Sequence, residues 1–143
     1  MGDITVVAAK VGLSMPGPAH AEVYPVIAGV VVTAGLPLYQ QTDGTYAIAL
    51  ASAAATARFR GISLNAAHIG GKVDMLKRGV LTGYALGTYG DTLYLSDTAG
   101  GAISDTPGTV VVRVGTVISR SDPALTELWY CEADWKDGWE DDA

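Results

Sequence analysis

The stretch that decides the fold is residues 90–119, which read GDTLYLSDTAGGAISDTPGTVVVRVGTVIS. A short apolar run, Leu93–Leu95, is followed by turn-forming residues at 96–101 and by a second turn at 105–108. The residues from Val110 to Val114 are β-branched apart from one arginine. Short β-branched runs separated by Gly, Asp and Pro are typical of strands joined by tight turns. The stretch therefore predicts an all-β protein.

The same pattern occurs earlier in the chain. Leu38-Tyr39 matches Leu93-Tyr94 at an offset of 55, which is 93 minus 38. Four further matches lie at an offset of 55 or, for the third of them, 54: Gly35 with Gly90, Ala47-Ile48 with Ala102-Ile103, Gly61 with Gly115, and Val73–Leu76 with Leu128–Cys131. We predict two related β units, at about 33–80 and 88–134, that close on each other as a small barrel or sandwich.

The length of 143 residues favours one domain. We predict a single β domain over residues 21–134, preceded by an extended N-terminal arm at 1–20 and followed by an acidic C-terminal tail at 135–143. Pro16-Gly17-Pro18 separates the arm from the domain, because proline lacks a donor and fixes φ.

The arm is apolar, and apolar residues are costly to leave in water. Its apolar residues are Ile4, Val6, Val7, Val11, Leu13 and Met15. Two alternatives follow: the arm lies on its own domain, or it pairs with a neighbouring chain by strand addition.

The tail is acidic and carries Trp135 and Trp139. An acidic end is normally solvated, whereas tryptophan often anchors interfaces, so a frayed and a docked tail are both open. We include both tryptophans with the apolar arm residues as candidate interface residues.

Within the domain, several local features are predicted. Thr42-Asp43-Gly44 reads as a hairpin turn, and 49–57 is alanine-rich, which predicts at most a short helix. A strand is expected over Arg58–Leu64 and another over Lys72–Lys77, with a turn at Arg78-Gly79.

Composition and charge bear on the class of function. Charged residues make up 17% of the chain and the net charge is −6. Low charge leaves little to cover a monomer's surface, which hints at protein–protein contact, although abundant Ala and Gly also explain it. Phosphate binding needs clustered cations, and the one local cluster is Lys72, Lys77 and Arg78, so we expect no nucleic-acid partner. We also expect no membrane span and no signal peptide.

The search for reactive groups predicts no catalytic, cofactor or metal site. Asp91, Asp97 and Asp105 all lie in turns, where aspartate bonds its own backbone, and their spacing fits no calcium loop. The single cysteine, Cys131, is expected in a buried strand. The remaining candidates lie in no zinc or nucleophile motif: His20, His68, Ser63, Ser96 and Ser104.

The phrases AGLPLYQQTDGTYAIA, RFRGISLNAA and LYLSDTAGGAISDTPGTVVVRVGTVIS resemble the capsid decoration, or cement, proteins of tailed bacteriophages. The resemblance covers about residues 23–134 and depends on the order of the G-x-x-L-Y, turn and V-x-V-G-x-V elements. It extends neither to the acidic tail nor to any catalytic residue.

The resemblance implies a structural virion protein on the outer face of the capsid, assembled in the bacterial cytoplasm. Its partners would be the major capsid protein and further copies of itself, usually as a homotrimer. In such proteins an N-terminal arm can pair with a capsid strand, a role that the segment from Ile4 to Ala9 would take.

Two other classes of function remain. One is a carbohydrate-binding β module displayed on a phage particle, in which Tyr84, Tyr89 and Trp135 are predicted to be exposed and to stack on sugars; the alternative for the aromatic residues is pairing across strands in a core. The other is a hydrolase whose site follows no common motif, for which the sequence nominates no residue.

Overall fold

The structure, a computed structural model, describes residues 4–6, 11–13, 22–53, 55–82, 84–85, 90–97, 102–118 and 129–133. These residues form twelve strands and no helix, so the all-β prediction is confirmed. The strands are β1 (Thr5–Val6), β2 (Gly12–Leu13), β3 (Glu22–Ile27), β4 (Pro37–Gln40), β5 (Tyr46–Ile48), β6 (Gly61–Ser63), β7 (Lys72–Thr82), β8 (Tyr84–Ala85), β9 (Thr92–Leu95), β10 (Ile103–Ser104), β11 (Arg113–Val117) and β12 (Trp129–Glu132).

The strands form two antiparallel sheets. The small sheet pairs β1 with β8. The large sheet has ten strands in the order β10-β9-β11-β12-β7-β6-β4-β5, and β2 and β3 also pair with β7. The long strand β7 is therefore the element on which the first and second halves of the chain meet.

A bulge interrupts β7. Glu22 of β3 pairs with Arg78 and Val23 pairs with Leu76, so Lys77 is one extra residue on β7. An extra residue shifts the alternation of side chains between the two faces of a strand. The predicted turn at Arg78-Gly79 is therefore wrong, because β7 continues through the bulge to Thr82.

Strand β7 contributes to two hydrophobic cores, because adjacent residues of a strand face opposite sides. Before the bulge, Val73 and Met75 are fully buried in a smaller core, and Leu76 is fully buried in a larger one. The bulge then places Leu81 on the same side as Leu76, and Leu81 is fully buried in the larger core. The smaller core consists of Ala28, Val32, Leu38, Tyr46, Val73 and Met75. The larger core consists of Ala49, Ala51, Ala57, Phe59, Ile62, Leu76, Leu81, Tyr84, Leu93, Leu95, Ile103, Val114, Val117, Cys131 and Ala133.

The large sheet has the same order of strands when it is followed inward from either edge. From one edge, the four strands of the predicted first unit lie in the order β5-β4-β6-β7. From the other edge, the four strands of the second unit lie in the order β10-β9-β11-β12. The registers of the central pairs also correspond, since Leu38 pairs with Gly61 as Leu93 pairs with Gly115.

The turns before β4 and β9, which begin the two predicted units, have the same backbone hydrogen bonds. Gly35 N donates to Ser63 O at 2.7 Å, and Gly90 N donates to Val117 O at 2.9 Å. The return bonds run from Ser63 N to Leu36 O at 2.9 Å and from Val117 N to Asp91 O at 3.0 Å. Both glycines have positive φ, 91° and 87°, a conformation that side chains disfavour.

Two of the predicted sequence matches are displaced in the structure. Ile62 pairs with Leu76 as Thr116 pairs with Tyr130, so the last strands correspond at an offset of 54 (130 minus 76) rather than 55. Ile48 pairs with Leu38, whereas Ile103 pairs with Leu95, because the hairpin of the second half has a longer loop.

The alanine-rich residues near 49–57 form turns and no helix in the part of that stretch that is described, which agrees with the prediction of at most a short helix. Leu50 N donates to Thr56 O, and the backbone of Ala51 bonds to Ser96 and Val110 in the other half of the chain. Ala51 is fully buried in the larger core. A short helix is marginal alone, and these long-range bonds outweigh alanine's intrinsic propensity.

One further contact links the end of β3 to β5. Ala28 forms a parallel bridge with Tyr46, and Gly29 N donates to Tyr46 O at 2.8 Å. The pairing β3-β7-β6-β4-β5 thus returns to the residue that follows β3, and β4, β5 and β7 each contribute residues to the smaller core.

Candidate functional site

Residues 4–6 and 11–13, which belong to the predicted arm, contact other parts of the chain. Ile4 is half-buried against the larger core, and its N donates to Ile103 O at 2.6 Å. Val11 is also half-buried against that core. Val6 and Leu13 form backbone pairs with Tyr84 and Leu81.

These contacts of residues 4–6 and 11–13 are all with other parts of the same chain. Each arm strand is only two residues long, whereas β7, which receives β2, has eleven. The other candidate interface residues, Val7, Met15, Trp135 and Trp139, lie outside the described residues.

The acidic turn residues have structural roles where their contacts are defined. Asp97 accepts hydrogen bonds from Thr109 N at 3.3 Å and Thr109 Oγ1 at 3.0 Å, which fastens one loop of the second half. In the described part of the chain, no three His, Cys, Asp or Glu side chains form a group that could hold a metal.

The hairpin turn predicted at Thr42-Asp43-Gly44 is present. Gly44 has a φ of 92°, and its N donates to Gln41 O at 2.9 Å. Thr45 Oγ1 donates to the Asp43 carboxylate at 2.7 Å and Thr45 N donates to it at 3.0 Å. These bonds lower the pKa of the exposed Asp43 carboxyl, because they favour its charged form.

Ser63 is a structural hydroxyl. Its Oγ donates to Thr33 O at 2.6 Å and accepts from Leu36 N at 3.0 Å, and the residue is fully buried. Both contacts fix the turn that precedes β4. A nucleophile needs access to substrate and an activating base, and Ser63 has its hydroxyl committed inside the protein.

Cys131 is buried in β12, as predicted. Its Sγ lies 3.9 Å from Lys77 O, next to the bulge. A buried thiol in an apolar strand behaves as a small hydrophobic residue.

The prediction that Tyr84 is exposed is wrong. Tyr84 is 3% exposed, and its hydroxyl donates to Gly35 O at 3.0 Å. Burial raises the pKa of the Tyr84 phenol, and the nearby Cys131 raises it further. Tyr84 therefore has no face available for sugar stacking, and Tyr89 and Trp135 lie outside the described residues.

Two members of the basic cluster form ion pairs within the protein. Lys77 Nζ lies 3.6 Å from Glu22 Oε1, and Arg78 Nη1 lies 3.3 Å from Glu22 Oε2. Glu22 begins β3, so both pairs bridge β3 to β7 at the bulge. The bulge thus places the two cations beside a carboxylate of the same sheet.

A set of exposed apolar side chains is the feature that sequence reasoning missed. The exposed large hydrophobic residues among those described are Val23, Tyr24, Ile27, Val31, Ile69 and Val111. A signal for most of them existed in the sequence: residues 23–42 and 61–71 contain no Asp, Glu, Lys or Arg. Large apolar patches on a protein surface mark contacts with other molecules, whereas a single exposed apolar residue such as Val111, which is remote in sequence from the other five, is normal.

No protein-family model, curated protein or solved structure matches the chain. The described residues include no helix with the length and apolarity needed to cross a membrane.

Proposed function

We propose that this chain is a structural virion protein that binds the outer face of a bacteriophage capsid and stabilises contacts between capsomers. The proposal rests on the resemblance of residues 23–134 to decoration proteins of tailed phages. The major capsid protein is the partner, together with further copies of the chain as a homotrimer. The protein performs no catalysis in this role.

The observation that carries the proposal is the way in which the arm is attached. Strands β1 and β2 form two residue pairs each, with β8 and β7. A backbone hydrogen bond contributes about 0.5–1.5 kcal/mol net, so such short pairings are cheap to exchange. A capsid strand can replace them, or the arm can leave its own domain and pair with a capsid strand.

The fold suits a repeated structural element. We infer that the two halves are related units and that the pairing circuit around the smaller core closes as a small barrel. The like strand orders and the two glycine turns support this inference. Many weak contacts of one copy, repeated over a shell, give avidity without any cofactor or energy source.

Capsid co-sedimentation tests the proposal, with capsids of the encoding phage that lack the protein. We expect the full chain to bind and a chain without residues 1–20 to bind at least about tenfold more weakly, a loss of about 1.4 kcal/mol. The matched control is Val111→Asp, a charge placed on a 65% exposed side chain that belongs to neither strand paired with the arm, and this variant should bind as the original does.

Ile4→Asp sharpens the test, because Ile4 packs against the larger core and the change loosens the arm without removing it. Undiminished capsid binding by the truncated chain would remove the arm from the mechanism. Failure of the full chain to bind capsids would overturn the proposed function itself. Circular dichroism of each variant establishes that the β-fold is retained.

No observation favours the carbohydrate-binding alternative. Of the three aromatic residues that would stack on sugars, the one whose side chain the structure describes, Tyr84, is buried.

A further inference from the structure

Two neighbouring segments without Asp, Glu, Lys or Arg form a region that we call the apolar tip. It comprises residues 28–33, which follow β3, and residues 66–71, which connect β6 to β7. Four backbone hydrogen bonds join the segments: Ala28 N to Gly71 O at 2.9 Å, Gly70 N to Ala28 O at 2.7 Å, Val32 N to Ala67 O at 3.0 Å and Ala67 N to Val32 O at 2.9 Å.

The tip presents large apolar side chains to solvent. Val31 is 62% exposed and Ile69 is 70% exposed, one on each segment, and Ile27 at the border of the tip is 43% exposed. The tip contains no Asp, Glu, Lys or Arg, and His68 is its one titratable residue. The rest of the chain, by contrast, carries the whole net charge of −6.

The tip is also held in place from beneath. Val32 is buried in the smaller core, and Ala67 packs against the same core. Val31 and Ile69 are therefore presented by backbone that is already ordered by hydrogen bonds and packing. Preorganised side chains lose less conformational entropy on binding, which favours a contact surface.

We propose that the apolar tip is a contact between copies of this chain. Two copies that each carry six net negative charges repel, and this repulsion is smallest where the facing surfaces hold no acidic residue. The tip is such a surface, and burying its exposed Val and Ile against a second copy removes apolar area from water. The inference rests on the proposed function, in which copies of the chain are partners.

Strand addition along β3 is a less suitable way for two copies to meet. Among the described strands, β3 pairs only with β7. Its middle residue Pro25 lacks an N–H, and proline at an edge strand opposes pairing with another chain. A side-chain contact through Val31 and Ile69 needs no backbone donor.

The test is the mass in solution, by light scattering and sedimentation velocity over a range of concentrations. We expect the unmodified chain to self-associate, and Val31→Asp or Ile69→Asp to weaken the association at least about tenfold, or about 1.4 kcal/mol. Val111→Asp is the matched control, because Val111 is 65% exposed and lies outside the tip. It should retain the original mass.

A monomeric unmodified chain at all concentrations, or an unchanged mass for both tip variants, would overturn the inference. Ile69→Gln is a milder second variant, which guards against misfolding as the cause of a lost association. Tip variants that keep the original mass but lose capsid binding would reassign the tip to the shell, which also overturns it.

Capsid co-sedimentation of the same variants separates this inference from the proposed function. Capsid binding by a chain that is monomeric in solution would refute the tip contact and the homotrimer in solution, and it would leave the proposed capsid-binding role standing. Self-association through the tip in a chain that binds no capsid would support the tip contact and refute the proposed capsid-binding role.

Discussion

The turn before β4 and the turn before β9 share a backbone but not their side chains. In both turns, a glycine with positive φ and the residue after it form backbone hydrogen bonds with one residue, which lies in β6 in the first half and in β11 in the second. That residue is Ser63 in the first half and Val117 in the second, and both are buried. Ser63 adds two hydrogen bonds to the first turn through its hydroxyl, which valine cannot do.

The backbone geometry of the strands and turns is therefore the same in the two halves, but the side chains packed between them differ. A hydroxyl is tolerated under the first turn because both of its partners lie within that turn. The second turn faces the larger core, where Val117 packs among apolar side chains. Equivalent backbone positions therefore carry different side chains, each suited to its own half.

The largest effects are expected where the two cores meet on one strand. Met75 lies in the smaller core and Leu76 in the larger one, and both are fully buried. We expect Met75→Ala and Leu76→Ala each to lower the free energy of unfolding by about 2–5 kcal/mol. Denaturant titration followed by fluorescence and circular dichroism measures this, with the exposed Lys72→Ala on the same strand as control.

Because β7 belongs to both halves, each variant should unfold in one transition. Two transitions, with each variant moving only one of them, would show that the halves fold independently, and the comparison would then be one of two domains.

The glycine turns give a smaller effect. Gly90 has open space around it, so Gly90→Ala tests the positive φ alone and should cost about 1–2 kcal/mol. Gly35→Ala should cost at least as much, because Gly35 is buried. Thermal and denaturant unfolding measure both variants. Gly90→Asn should recover part of the lost stability, since asparagine tolerates positive φ. If Gly90→Ala left the free energy of unfolding unchanged, the two turns would not be equivalent.

The smallest effect concerns Tyr84, whose hydroxyl fastens the first turn through Gly35 O. Tyr84→Phe should cost about 1 kcal/mol at neutral pH, as expected for a hydrogen bond. The pKa of Tyr84 is raised in the folded protein. The stability that this provides is present below about pH 10, where the unfolded tyrosine titrates, and declines as the pH rises above it.

The cost of Tyr84→Phe should therefore shrink above about pH 10, because the variant lacks this titration. Unfolding free energies of both proteins from neutral to alkaline pH measure the difference. A cost that stays constant over that range would show that the phenol is not protected in the fold.

Much of the strand pattern was predictable from the sequence. The match of Leu38-Tyr39 with Leu93-Tyr94 located β4 and β9, and the burial of Cys131 followed from its apolar neighbours. The bulge was not predictable, because Lys77 and Arg78 look like the end of a strand until Glu22 is placed beside them. A strand from a distant part of the chain decides that geometry.

Long-range contacts also explain other features that the sequence did not reveal. The backbone of Ala51 bonds to Ser96 and Val110, and its side chain lies in the larger core. Tyr84 is buried in the larger core, and its hydroxyl donates to Gly35 O, 49 positions away in the chain. For the candidate site, the apolar residues of the arm could be identified from the sequence. The exposure of Val31 and Ile69 could not, because it depends on how residues 28–33 pair with residues 66–71.

The single buried thiol makes the strand pair at the centre of the molecule observable. Cys131 pairs with Gly79, and it is the chain's one cysteine. Because the Cys131 sulfur is fully buried, an alkylating reagent reaches it only when the structure around β12 opens, so the labelling rate reports how often this region opens. Under the proposed function, a slower rate in the presence of capsids would show that binding stabilises this region against opening.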